Sequence, residues 1–266
     1  MTTPTAEQAK ACCAAAYGAD VVTLLLGESY HPGGLALTRH LATHLALPPG
    51  AQVLDVASGR GATAMLLAQE FGLTVAGVDL SAANVALAQG AADAAGTADR
   101  VTYGVGDAEQ LPYGDATFDA VVVECALCIF PDKPAAVSEI ARVLRPGGRL
   151  GLTDVIAEPD RLPAELATFA ARVACVAGAL PMHGYVDTVE AAGMRVTRTE
   201  RHDTALLRMI DQIEARLTVV RLTTSEVTAS GLDLTRIRSA LAAARAAFAD
   251  GVLGYGLLTA TKPVAR

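Results

Sequence analysis

The chain of 266 residues, with an apolar content of 52%, is long enough for one large domain with a substantial buried core. Its formal net charge of −7 and its aromatic content of only 4% argue against a nucleic-acid partner, which would favour basic patches and aromatic platforms. No apolar stretch reaches the roughly 18 to 20 residues of a membrane span, and residues 1–10 lack the layout of a signal peptide.

The first 48 residues are predicted to form a helical lid. Helical patterns at 5–17, 19–26 and 35–46 are separated by Gly18 and by a loop at 27–34. Residues 49–266 are predicted to form a single α/β domain, with helical insertions at about 160–193 and 203–250.

Strand and helix signals alternate from residue 51 onward. Strands are predicted at 52–57, 74–79, 100–105, 117–124, 148–155, 195–200 and 251–261. The predicted helices are 61–71, 81–95, 132–144, 163–180, 185–192, 203–222 and 233–249. This alternation predicts a Rossmann-like, seven-stranded, mostly parallel sheet with helices on both faces.

The segment with the most specific pattern is Val-Leu-Asp-Val-Ala-Ser-Gly-Arg-Gly at 53–61. An apolar strand ends near Asp55, a turn with Gly59 and Gly61 follows, and a helical pattern begins at once. Because glycine has no Cβ, a ligand can approach backbone N–H groups at the start of that helix. The segment therefore predicts a site for a nucleotide-type cofactor.

Acidic residues follow the next strands. Asp79, beside Leu80, ends the second strand, where a carboxylate can hold both ribose hydroxyls. Asp107 and Ala108 follow the third strand, where a carboxylate can accept from an adenine amino group. Glu124 ends the fourth strand. A nicotinamide dinucleotide and an adenosyl sulfonium both agree with the first two features.

These segments, together with the Leu-Arg-Pro-Gly-Gly turn at 144–148, resemble the class I S-adenosylmethionine-dependent methyltransferases. The resemblance covers about residues 50 to 155. It implies S-adenosyl-L-methionine as cofactor and S-adenosyl-L-homocysteine as product. One residue departs from the family, which usually has glycine at the position of Ala57. The cofactor-binding residues that the resemblance implies are Asp55, Ala57, Gly59, Gly61, Asp79, Leu80, Asp107, Ala108 and Glu124.

The five cysteines are an odd number and are scattered, which favours reduced thiols and a cytoplasmic location. Segments around Cys125 and Cys175 resemble the arsenite methyltransferases, and this implies that the two thiols hold trivalent arsenic. Cys12 and Cys13 would supply a possible third ligand. The chain departs from that family at Glu124, where asparagine is usual. The alternative is that these thiols are small apolar residues packed in the core.

Two further functions stay open. An O-, N- or C-methyltransferase of a small organic metabolite would use His31, His183 or Glu124 as its base. A catalytically silent binding module would keep the fold alone, although the intact glycines and acids of the cofactor motif argue against that reading. In each enzymatic case the expected partner is a small molecule, and the chain is a monomer or a homodimer.

His40 and His44 lie four residues apart on one predicted helix face, a spacing found among metal ligands. Since no third ligand accompanies them in the sequence, a solvated helix face is expected and no metal site is predicted.

Overall fold

The computed structural model describes residues 5, 7, 8, 10, 27, 30–166, 175–223 and 234–264. Its seven strands form one sheet in the order β3-β2-β1-β4-β5-β7-β6. Strands β1 to β5 are parallel to one another, and β7 is antiparallel to both β5 and β6. The predicted fold class is therefore confirmed. The strands are β1 Gln52–Val56, β2 Thr74–Asp79, β3 Val101–Val105, β4 Phe118–Glu124, β5 Leu144–Ala157, β6 Arg195–Arg201 and β7 Leu253–Thr261.

Helices cover both faces of the sheet and bury two separate apolar clusters. One cluster contains Leu41 and Leu67 on one face, and the other contains Ile140 and Tyr185 on the opposite face. Among the described residues, no helix is long and apolar enough to cross a membrane. The helices are α1 Gly34–Leu45, α2 Ala62–Phe71, α3 Ala82–Ala94, α4 Lys133–Val143, α5 Met182–Ala191, α6 Asp203–Thr223 and α7 Leu234–Ala249.

Two predictions of local structure differ from the described residues. Of the helix predicted at 163–180, the start holds a 3-10 turn at Ala164–Leu166 and the end at 175–180 is a loop that bridges back to β5, whereas residues 167–174 lie outside the described residues. Cys175 has a φ of 65°, which a right-handed helix does not allow. The predicted turn at 144–148 is the irregular start of β5, where the pairing with β4 shifts register.

The predicted helices at 5–17 and 19–26 lie almost wholly outside the described residues, and so do residues 167–174 of the insertion predicted at about 160–193. The lid and the insertions, as domain assignments, remain predictions.

The turn between β1 and α2 depends on Gly61. Its φ of 87° is in the left-handed region, which favours glycine. A Cβ at this position would lie 2.2 Å from the Tyr103 hydroxyl oxygen, which itself donates to the Gly61 carbonyl at 3.1 Å. Tyr103 of β3 therefore holds the turn in place through a close contact that only glycine permits.

We expect Gly61→Ala to reduce the free energy of unfolding by about 2–4 kcal/mol, because the substitution adds both backbone strain and overpacking against Tyr103. Gly90→Ala is the matched control, since Gly90 is exposed on α3 with no atom near its Cβ position. That control should gain up to about 1 kcal/mol from helix propensity. Urea denaturation of both variants measures the difference, and equal stabilities would contradict the role of Gly61.

Candidate functional site

The carboxyl ends of β1, β2 and β4 open into a cavity of about 150 Å³. This is the edge where ligands bind in open parallel sheets. Gly61, in the turn between β1 and α2, is not one of the residues that line this cavity. The residues predicted from sequence that line the cavity are His31, Asp55, Ala57, Gly59, Asp79, Leu80, Asp107, Ala108, Glu124 and Cys125.

Asp79 ties the first turn to the second strand. One of its carboxylate oxygens accepts from the Gly59 amide at 2.9 Å, and the other accepts from the Ser81 amide at 2.8 Å. The Asn84 side chain donates to the same second oxygen at 3.4 Å. Because a carboxylate offers about four acceptor positions, Asp79 keeps acceptor capacity for a ligand diol.

Several buried polar atoms beside this carboxylate have no hydrogen-bond partner among the described residues. They are Asp55 Oδ2, Ser58 Oγ and Asn84 Oδ1, and all three residues line the cavity. Buried polar groups are normally paired, so such atoms mark a place for a polar ligand. The space above Gly59 is open as well, since the nearest atom to its Cβ position is a Tyr30 ring carbon at 4.0 Å.

The charge around the cavity favours a cationic ligand. Burial, together with the nearby Glu124 and Asp79 carboxylates, raises the pKa of Asp55 well above its ordinary value. A positive charge in the cavity would relieve this crowding of acids. An adenosyl sulfonium with a ribose diol, an ammonium and a carboxylate therefore suits the donors and acceptors that this structure leaves unpaired.

Asp107, predicted to accept from adenine, lines the cavity and is ion-paired to Lys10 at 2.7 Å. The same ammonium lies 2.5 Å from Glu109. Lys10 belongs to the N-terminal segment, so a side chain from before the sheet covers this end of the cavity. Sequence reasoning missed Lys10 because nothing local links residue 10 to residue 107.

Glu124 is the centre of a buried polar cluster at the opposite end of the cavity. Thr63 donates to its carboxylate at 2.6 Å, and Thr38 on α1 donates at 3.0 Å. His31 Nε2 lies 3.6 Å from the same carboxylate, with His31 8% and Glu124 4% exposed. The structure therefore brings together two residues that the sequence analysis named separately as bases, and adds two threonines that it missed.

His183, the other predicted base, is exposed on α5 and is not among the described residues that line the cavity. This position does not support a role in proton transfer. Cys12 and Cys13 lie outside the described residues.

Three thiols meet behind Glu124. Cys125 lines the cavity, and Cys175 donates to the Cys125 carbonyl at 3.4 Å. Cys128, fully buried, contacts both of them, and its amide donates to Asp154 at 2.8 Å. Cys125 and Cys175 both have positive φ values, of 54° and 65°. The predicted convergence of Cys125 with Cys175 is therefore present, with Cys128 and Asp154 as additional members.

These thiols are in an environment that favours the neutral form. Burial and the neighbouring thiols raise the pKa of Cys128 well above its ordinary value. Burial, and next the Cys175 thiol, raise the pKa of Asp154 to about 7. Among the groups of this cluster, Asp154 thus has the pKa closest to neutral pH.

Comparisons with known proteins agree with this geometry. Residues 54–152 match the family described as "Methyltransferase domain". Over 261 residues the chain is 31% identical to 27-O-demethylrifamycin SV methyltransferase of Amycolatopsis mediterranei (strain S699), covering 92% of this chain and 94% of that protein.

Two solved structures share the fold over the full chain. The [4+2]-cyclase SpnF superposes with a TM-score of 0.80 at 23% identity, covering 100% of this chain and 99% of the other. Geranyl diphosphate C-methyltransferase from Streptomyces coelicolor A3(2) superposes with a TM-score of 0.75 at 18% identity, covering 98% of each chain. At these identities the likeness concerns the fold alone.

The raised pKa of Asp154 predicts how stability varies with pH. In the folded chain Asp154 holds its proton up to about pH 7, whereas in the unfolded chain it loses the proton near pH 3.8. Its contribution to stability is therefore complete below about pH 4 and falls as the pH rises through 7. We expect Asp154→Asn to reduce the loss of unfolding free energy between pH 5 and 8 by about 2–3 kcal/mol.

Urea denaturation of the wild type and of Asp154→Asn at both pH values measures this difference. Asp99→Asn is the control, because Asp99 is 75% exposed. Equal pH dependence in the wild type and in Asp154→Asn would contradict the assignment.

Proposed function

This chain belongs to the S-adenosylmethionine-dependent methyltransferases, and we propose that it methylates a hydroxyl oxygen of a small organic acceptor, with His31 as the base. The observation that carries the proposal is the buried His31–Glu124 pair in the cavity wall, 3.6 Å apart. The 31% identical full-length relative, which is named for O-methylation of a rifamycin, supports an oxygen acceptor.

The donor end of the cavity supplies the binding groups. Asp79 would hold the ribose diol, and Asp55, Ser58 and Asn84 offer the unpaired polar atoms beside it. S-adenosyl-L-methionine supplies an electrophilic methyl group on a positively charged sulfur. The carboxyl groups of Asp55, Asp79 and Glu124 surround the place of a cation, while the turn at Gly59 positions it.

His31 can remove the proton that a hydroxyl acceptor must lose. In the tautomer with Nε2–H directed toward Glu124, the lone pair of Nδ1, which lies 3.4 Å from the Pro32 carbonyl oxygen, is the position that would take that proton. The Glu124 carboxylate then stabilises the imidazolium that forms, since both groups are almost excluded from water. Thr38 and Thr63 each donate to Glu124, which holds the carboxylate in one orientation.

A second candidate is a soft acceptor such as trivalent arsenic, held by Cys125 and Cys175. The observation in its favour is that these thiols converge with Cys128 at the cavity edge. A soft atom with its own lone pair needs no base, so this reaction would not depend on His31. We favour the oxygen acceptor because the neutral, buried state of the thiols agrees with packing.

We expect His31→Gln to lower kcat on a hydroxyl acceptor by about 10²- to 10⁴-fold, the usual contribution of a general base. The affinity for S-adenosyl-L-methionine should change less than about threefold. The probe acceptors are 27-O-demethylrifamycin SV and a panel of hydroxyl-bearing macrocycles, with methylated product measured by mass spectrometry. His183→Gln, an exposed histidine, is the matched control and should keep full activity.

Arsenite in the presence of glutathione separates the two candidates. Methylation of arsenite that is lost in Cys125→Ser and Cys175→Ser but kept in His31→Gln would overturn the oxygen proposal in favour of the second. Full activity of His31→Gln on a macrocycle that the wild type methylates would overturn the role of His31. The absence of transfer to every hydroxyl acceptor in the panel would also count against an oxygen acceptor.

A further inference from the structure

A cluster of three histidines and one glutamate lies on the surface where α1 meets the end of β6. His40 and His44 come from consecutive turns of α1, and Glu200 and His202 come from the end of β6 and the residue that follows it. The fold therefore supplies the ligands that the sequence around His40 and His44 lacked. None of the four residues lines the cavity described above.

The ligand atoms of His40, Glu200 and His202 lie within 4.8 Å of one another, and His44 lies beside them. His40 Nε2 lies 2.7 Å from Glu200 Oε2, and His202 Nε2 lies 2.9 Å from the same oxygen. His44 Nε2 lies 3.1 Å from His40 Nε2 and 3.4 Å from the other Glu200 oxygen. All three imidazoles thus direct the same ring nitrogen toward a single carboxylate.

We propose that His40, Glu200 and His202 bind a divalent transition-metal ion, with zinc as the ion whose chemistry matches this set. Two imidazole nitrogens and one carboxylate oxygen are ordinary zinc ligands, and the fourth position of the tetrahedron is open to the adjacent His44 or to water. With bonds of about 2.0–2.1 Å, the ligand atoms of such a tetrahedron lie about 3.3 Å apart. The measured separations of 2.7 to 3.4 Å require only small side-chain rotations to admit the ion.

Direct hydrogen bonding is a poor alternative for this arrangement. If His40 and His44 were both protonated, two positive charges would face each other at 3.1 Å. If both are neutral, His40 Nε2 cannot donate its one proton to Glu200 at 2.7 Å and also accept from His44 at 3.1 Å, because the same nitrogen has no lone pair left. A bound cation satisfies every one of these lone pairs at once, because neutral imidazoles and a carboxylate all act as acceptors toward it.

Arg198 is a positively charged neighbour of Glu200 and would repel a bound cation. Its guanidinium donates to Glu200 Oε1 at 2.7 Å. This leaves Oε2, the oxygen that faces His40 and His202, as the metal ligand. Arg198 therefore orients the carboxylate for the site while its positive charge weakens binding. We expect Arg198→Gln to bind zinc more tightly than the wild type as long as the orientation of Glu200 is kept.

The site joins two parts of the chain that are 160 residues apart. On α1, residues 38 and 40 point about 200° apart, so the helix that would hold the ion also presents Thr38 to Glu124 in the cavity. A metal ion at this surface would fasten α1 to the edge of the sheet. Its binding would stabilise the folded chain and the cavity wall that α1 forms.

Calorimetric titration of chelator-treated full-length chain with zinc chloride tests the proposal without any methyl-transfer assay, so its outcome is independent of the proposed reaction. We expect one ion per chain and a Tm that rises by about 5 °C at 100 times the Kd. His40→Ala and His202→Ala should each weaken binding at least tenfold. The exposed His183→Ala is the matched control and should bind like the wild type.

Cobalt(II) distinguishes this site from the thiols. The proposal expects a tetrahedral visible spectrum with no sulfur-to-cobalt charge-transfer band, and the spectrum should persist in Cys125→Ser. Circular dichroism of the metal-free variants checks that each still folds. A wild type that binds no zinc, histidine variants that bind it as tightly as the wild type, or a thiolate charge-transfer band that accounts for all the bound cobalt would overturn the proposal.

Discussion

The contact on which the site depends is the hydrogen bond from the Gly59 amide to the Asp79 carboxylate, 2.9 Å long. It joins the turn after β1 to the end of β2, the neighbouring strand. Gly59 and Gly61 have positive φ values, and glycine can adopt many backbone conformations. The hydrogen bond to Asp79 selects one conformation of the turn, in which space is left at Gly59 and the polar atoms of Asp55, Ser58 and Asn84 stay unpaired.

Acidic side chains and their partners are distributed unevenly along the cavity. Acids crowd the middle of the cavity, where Asp55 is forced toward its protonated form. At one end Lys10 is ion-paired to both Asp107 and Glu109. At the other end Glu124 lies beside His31 and accepts from two threonine hydroxyls.

The sequence predicted the parts of the site that depend on short-range pattern. The strand, turn and helix around Gly59 and Gly61 follow from local glycine chemistry, and the alternation of strands places Asp79 and Glu124 at the same edge. The meeting of Cys125 with Cys175 came from the family resemblance, and the topology agrees with it. Each of these predictions uses residues that lie on neighbouring parallel strands or in the loops that directly follow them.

The remaining features depend on contacts between distant segments that no local pattern encodes. Thr38 reaches Glu124 only because α1 packs on the sheet, and Glu200 reaches His40 only because β6 is the outer strand on that side. The end of the helix predicted at 163–180 has a related cause. At 175–180 the chain forms a loop in which Gly178 packs closely on the Cys128 carbonyl, a contact between residues that are far apart in sequence.

Calorimetric binding of S-adenosyl-L-homocysteine to the wild type and to Asp79→Asn tests the central claim most directly. The exposed Asp99→Asn serves as control. We predict one binding site per wild-type chain and no change in the control. The affinity of Asp79→Asn should be at least tenfold weaker, because a hydrogen bond to a charged group is worth about 1.5–3 kcal/mol. A wild type that does not bind this product, or an Asp79→Asn variant that binds it equally well, would contradict the account.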